Sequence, residues 1–202
     1  FLVKASRAER KLKHSKVAIS KSILALGSDL SKLAVRNFKS LLMWCGDLNS
    51  QFPTTLAQDI LVRGLEIPDL VDESYIQICK QCTENPRPES ENLAWLLMCM
   101  ATKTFPPSEN FCLYLLNFLL RHERVPGLIG NYARLCVVQQ TVQRASSHLA
   151  NTIHLLLCET ALKVRGGGGL KTNEAHHKLF EDALHRFGAQ LAVLIHAFRV
   201  RQ

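Results

Sequence analysis

Leu30, Leu33, Ala34, Phe38, Leu41 and Leu42 recur at steps of three and four residues, which sets them along one face of a helix. Asp29 is placed to cap its start and Gly46-Asp47 to stop it. Thr54 or Thr55 is placed to open a second helix carrying Leu56, Ile60 and Leu61, closed at Gly64. Asp72 precedes a third, with Tyr75, Ile78, Cys79 and Cys82 facing inward. Asn85-Pro86-Arg87-Pro88 ends it, because each proline disfavours helix in the residue before it. Leu93 to Ala101 is apolar all round, the pattern of a central, fully buried helix.

Phe105-Pro106-Pro107 breaks the chain, and Ser108 then caps a helix through Phe111, Leu115, Leu116, Phe118 and Leu119. Pro126-Gly127 and Gly130 form the next punctuation. Asn131 to Val164 holds no proline or glycine, and a break near Ser146-Ser147 is expected because one helix of that length is long for a globule. Gly166 to Gly169 lacks the Lys-Ser/Thr ending of a phosphate loop and reads as a flexible connector. Beyond it, Phe180, Leu184, Phe187, Leu191, Leu194 and Phe198 mark one face of a last amphipathic helix, docked on its own domain or on a partner. Strand-like alternation is nearly absent, so the pattern predicts an all-α chain.

Composition agrees with a packed globule: 202 residues, 47% hydrophobic and 21% charged. The opening residues are polar and basic, without the apolar core of a signal peptide. Leu93 to Ala101 falls far short of the roughly 20 apolar residues of a membrane span. Seven cysteines, most inside apolar stretches, fit a reducing compartment, and the expectation is a soluble intracellular domain.

Charge changes the picture more. The chain carries a formal +8. Lys4, Arg7, Arg10, Lys11, Lys13, Lys16 and Lys21 face a single early anion, Glu9. Lys4, Arg7, Arg10 and Lys11 fall at helical steps, one cationic stripe with an acidic partner as its natural target. Nucleic acid is not expected, since the interleaved aromatics and docking motifs of such binders are missing.

Candidate chemistry adds little. Cys79-x-x-Cys82 has no second CxxC or His pair at zinc spacing, and reads as two helical core cysteines. His176-His177 reads as a solvated first helical turn, and the other histidines have no nucleophile or carboxylate beside them in sequence. No GxSxG, P-loop, GxGxxG or HExxH pattern is found. No enzyme activity, cofactor or metal is expected.

Three segments together resemble the myosin tail homology 4 domain. Leu33 to Asp47 ends in the aromatic-x-Gly-Asp stop of that family. Asp72 to Pro86 is similar to its Asp-Glu-x-Tyr, Gln-x-x-Lys-Gln, Asn-Pro signature. Ala94-Trp-Leu-Leu97, Phe105-Pro-Pro-Ser-Glu109 and Tyr114-Leu-Leu-Asn-Phe118 make the third. His14 to Leu24 fits the opening segment and Tyr132 to Cys136 the closing one, so the likeness covers about residues 12 to 136.

The resemblance implies a compact helical bundle from the tail of an unconventional myosin, kinesin or related adaptor, cytoplasmic and cytoskeleton-associated. It also implies cargo or microtubule binding and a FERM domain as neighbour, and no FERM sequence is present in these residues. The organisation expected is a domain over 1–145 and a helical continuation over 146–165. A glycine-rich connector with the composition of an engineered loop follows over 166–171, and an amphipathic helix over 172–202. The function expected is non-enzymatic: the basic residues contact an acidic surface such as tubulin, or a cargo protein. The alternatives are a scaffold recruiting a partner through the last helix, and an anionic-membrane binder.

Overall fold

The computed structural model of the chain describes residues 12–165, with 147–165 as helical backbone. Lys4, Arg7, Arg10, Lys11, the glycine run, His176-His177 and the last amphipathic stretch with Phe180, Leu184, Phe187, Leu191, Leu194 and Phe198 lie outside the described residues. Among the described residues six α-helices follow one another, without a strand. They are α1 (Ser28–Trp44), α2 (Pro53–Glu66), α3 (Val71–Cys82), α4 (Pro88–Thr104), α5 (Glu109–His122) and α6 (Leu128–Arg165), with a 3-10 turn, Pro68–Leu70, between α2 and α3. The all-α expectation holds. The chain divides into two units, one ending at Gln140 and one beginning at Thr141.

Several helix boundaries differ from the sequence expectations, for identifiable reasons. α1 starts after Gly27, so Asp29 lies in its first turn, where its charge complements the helix dipole without capping it. α2 opens on Pro53, ahead of Thr54 and Thr55, because a first helical position has no use for the missing N–H. Pro88 opens α4 in the same way. Gly64 lies inside α2, and Gly130 inside α6, so neither is a stop. Asp72 is the second residue of α3. Ser108 does cap α5, its hydroxyl accepting the Phe111 N–H at 3.2 Å. α6 runs through Ser146 and Ser147 unbroken, since serine keeps its backbone donor and lowers helix propensity only slightly.

The core forms where these faces meet. Phe38, Leu41 and Leu42 of α1, Ile60 of α2, Leu97 and Met98 of α4, and Leu115 and Leu119 of α5 are all buried. Trp95 is enclosed and stacks on Phe118 at 5.7 Å between ring centroids. Leu93, Leu96 and Met100 are only half-buried, so α4 keeps one face partly open. The most enclosed helix is α3, of which every residue except Asp72 is buried. Its polar side chains explain why the sequence did not mark it: Glu73, Ser74, Gln77, Lys80 and Gln81 lie inside. Ser74 joins a ladder across three helices, accepting from Asn37 Nδ2 at 3.0 Å while Asn37 Oδ1 accepts from Arg63 at 3.1 Å. Such groups are tolerated inside only when paired.

Candidate partner-binding site

Residues 12–27, which precede α1, form no helix and cross the molecule as an irregular strap. What holds the strap is the polar content of α3. The Glu73 carboxylate accepts the backbone N–H groups of Ile23 at 2.8 Å and Leu24 at 2.7 Å, and the Gln77 amide at 2.8 Å. Gln77 Nε2 also donates to the Ala34 carbonyl at 2.9 Å, tying α1 into the same cluster. Gln81 Nε2 donates to the Ser15 carbonyl at 3.1 Å, and the Lys80 ammonium donates to the Lys13 carbonyl. The His14 N–H donates to the Thr83 carbonyl at 2.9 Å. Burial lowers the pKa of Lys80, because desolvation penalises the charged form.

A second knot lies at the end of α1. Gly46 takes a left-handed turn (φ +70°) and delivers Asp47 into a pocket where its side chain is fully enclosed. There Asp47 Oδ2 meets His14 Nε2 at 3.0 Å and the Ser90 hydroxyl at 3.0 Å, and Oδ1 accepts from Arg87 at 3.1 Å. Asn85 donates to Ser90 Oγ at 3.0 Å, closing the network. The Gly-Asp and Asn-Pro segments are thus spatial neighbours.

The strap therefore presents its cations from a fastened backbone. Lys13 is paired with Glu84 at 2.6 Å on the surface. Lys16 and Lys21 are exposed, with no ion pair among the described residues. Of the seven predicted contact cations these three are brought to one strap, and it is not helical. Between the strap and the helices opens a cleft of roughly 700 Å³, with Ser15, Ile19, Ser22, Leu26, Ser31 and Lys80 among its walls.

Sequence reasoning named Glu73 and Asp47 only as parts of motifs and missed what they hold. The signal was the order Gly-Asp, Asp-Glu, Asn-Pro, which says that these residues matter but not to which atoms. His14 and His122, read as isolated, have partners: Asp47 for the first and the rings of Trp95 (5.0 Å) and Phe118 (4.5 Å) for the second. Cys79 and Cys82 are both buried in α3, and desolvation pushes their thiols up, away from the thiolate a metal or redox site requires. Among the described residues no three His, Cys, Asp or Glu stand together as a metal site, and no helix is long and apolar enough to cross a membrane.

Comparison with known proteins gives the family. The MyTH4 domain matches residues 57–155, reaching past Cys136, where the sequence likeness had been expected to end. The high molecular weight form of myosin-1 from Acanthamoeba castellanii is 44% identical over 107 residues, which are 53% of this chain and 7% of that protein. Human unconventional myosin-XVB is 37% identical over 111 residues, 54% of this chain and 4% of that protein. The chain thus spans a small fraction of these relatives. Among solved structures, the Dictyostelium discoideum myosin VII MyTH4-FERM MF2 domain (mutant 1) superposes with a TM-score of 0.64 at 26% identity, over 68% of this chain and 30% of that one. The human myosin 7b C-terminal MyTH4-FERM domain, solved in complex with the harmonin-a PDZ3 domain, gives 0.56 at 28% identity, over 66% and 28%. Motif order, helical architecture and these likenesses agree: the chain carries a MyTH4 domain, the helical module of myosin tails.

Proposed function

We propose that the chain is the non-catalytic, partner-binding part of a motor tail, cytoplasmic and cytoskeleton-associated, and that its strap reads an acidic protein surface such as the tails of tubulin. The observation that carries this reading is the pair Lys16 and Lys21, exposed on a backbone that Glu73, Lys80 and Gln81 fasten to α3. A cation on a fixed backbone loses less conformational freedom on binding than one on a loose tail, and complementary charge speeds encounter. Lys4, Arg7, Arg10 and Lys11 extend the same charge along the sequence. The family supports a protein partner in general, since a MyTH4-FERM relative is solved with a PDZ domain bound. Co-sedimentation with microtubules across a salt titration tests the reading: pelleting that declines steeply with ionic strength supports it. Absence of pelleting at low salt contradicts it.

A second reading rests on Leu128 and Leu135, two turns apart on α6 and both about half exposed. It makes α6 the contact for a cargo protein or a neighbouring FERM domain, and predicts binding that is insensitive to salt. An anionic membrane would use the same cations as tubulin, and vesicle flotation separates the two.

A further inference from the structure

Cys99 of α4 and Cys136 of α6 lie 37 residues apart in sequence, and their sulfur atoms are 3.4 Å apart. Cys136 is fully enclosed, and Cys99 keeps 7% of its surface open. The Cys99 thiol also lies 3.6 Å from the Tyr132 carbonyl, one turn before Cys136 on α6. With the Cys99 S–H directed at that carbonyl, the Cys136 S–H is left to donate to the Cys99 sulfur. Neither side chain takes part in the strap or in the Asp47 network.

We propose that Cys99 and Cys136 form a reversible, peroxide-driven disulfide that staples the first turns of α6 to α4. A disulfide needs the sulfurs at about 2.05 Å, so the pair must close by only about 1.4 Å. The two sulfurs are unequal, which orders the chemistry. Hydrogen bonding from Cys136 lowers the pKa of Cys99, and the same contact together with burial pushes Cys136 up. The Cys99 thiolate attacks one oxygen of hydrogen peroxide, breaking the O–O bond and giving a sulfenic acid and, after proton uptake, water. Cys136 then gives up its proton and attacks the Cys99 sulfur, and the hydroxyl leaves with a proton as a second water. Two thiols and one peroxide become one disulfide and two waters, with two electrons passing from sulfur to oxygen. A dithiol reductant reverses the step.

The enclosure selects the oxidant. A small peroxide reaches the open edge of Cys99, whereas bulky disulfides are shut out, and Cys136 waits as the resolving sulfur. Peroxide treatment of the whole chain, followed by unfolding, alkylation and peptide mapping, tests the proposal. The expected result is a fall from seven alkylatable thiols to five, a Cys99–Cys136 cross-linked peptide, and recovery of all seven on reduction. In C136A the cross-link is lost and Cys99 is trapped as a sulfenic acid by a cyclic dione, whereas C99A keeps its remaining thiols under the same dose. Seven intact thiols in the wild-type chain, or a disulfide mapping to any other pair, overturns the proposal. The wild-type map decides this even where a variant fails to fold.

Discussion

Glu73 Oε2 accepts the backbone N–H of Leu24 at 2.7 Å, joining a fully buried carboxylate of α3 to a strap 49 residues earlier in the chain. Its other oxygen takes the N–H of Ile23, so one side chain satisfies two consecutive backbone donors. Substitution of Glu73 by Ala strands both donors and should cost about 3 kcal/mol, since each unsatisfied buried donor costs about 1–3 kcal/mol. Urea denaturation checks the magnitude. Limited proteolysis should also show cleavage within residues 15–26 under conditions where the helices remain folded.

Asp47 concentrates three donors on one enclosed carboxylate. Asp47→Asn replaces an acceptor by a donor facing other donors and should cost about 2–3 kcal/mol, more than the roughly 1 kcal/mol expected of Ser90→Ala. Arg87 is partly exposed, so water recovers some of its loss and the figure stays below that of a fully buried pair. In the double variant the two costs should fall short of their sum, as expected for members of one network. Thermal unfolding of the two single variants and the double variant measures this.

The helical class, the Ser108 cap and most core positions were legible in the sequence, because amphipathic periodicity reports which face of a helix is buried. It does not report what a buried polar residue touches. α3 therefore passed for an ordinary amphipathic helix, although Glu73, Gln77 and Gln81 lie inside it. The same limit hid the meeting of Gly46-Asp47 with Arg87 and Ser90, and of Cys99 with Cys136. Motif order marked Asp47 and Glu73 as important, but only the fold supplied His14, Ile23 and Leu24 as their partners. The basic residues were visible by composition alone, whereas the non-helical path of 12–27 follows from bonds 49 to 67 residues apart.

Gly64 sits where the Phe105 ring covers α2. A Cβ built there would lie 2.3 Å from the ring. Phe105 is held in turn by edge-on contact with Tyr75 at 5.6 Å, and its carbonyl accepts the Tyr75 hydroxyl at 2.7 Å. Ala favours helix over Gly by about 0.5–1 kcal/mol, but overpacking costs about 1–3 kcal/mol, so Gly64→Ala should destabilise. Adding Phe105→Leu should recover part of the loss, and chemical denaturation of the single and double variants reads the difference.

Glu91, in the first turn of α4, has its carboxyl pushed above the ordinary 4.5 by burial. The folded chain then holds this proton more tightly than the unfolded one. The stability it contributes is full below the unfolded pKa and is lost as pH rises through the raised folded value. Glu91→Gln keeps the shape without the charge. It should match the wild type in acid, exceed it at neutral pH, and flatten the melting temperature against pH across that window.

The most direct test of the central claim is microtubule co-sedimentation of a Lys16→Glu/Lys21→Glu double variant beside the wild-type chain at low salt. Each reversal of an exposed contact is worth about 0.5–1 kcal/mol, so binding should weaken about fivefold to thirtyfold with the helical circular dichroism unchanged. An equal affinity in the folded double variant would contradict the account and remove the strap from the binding surface.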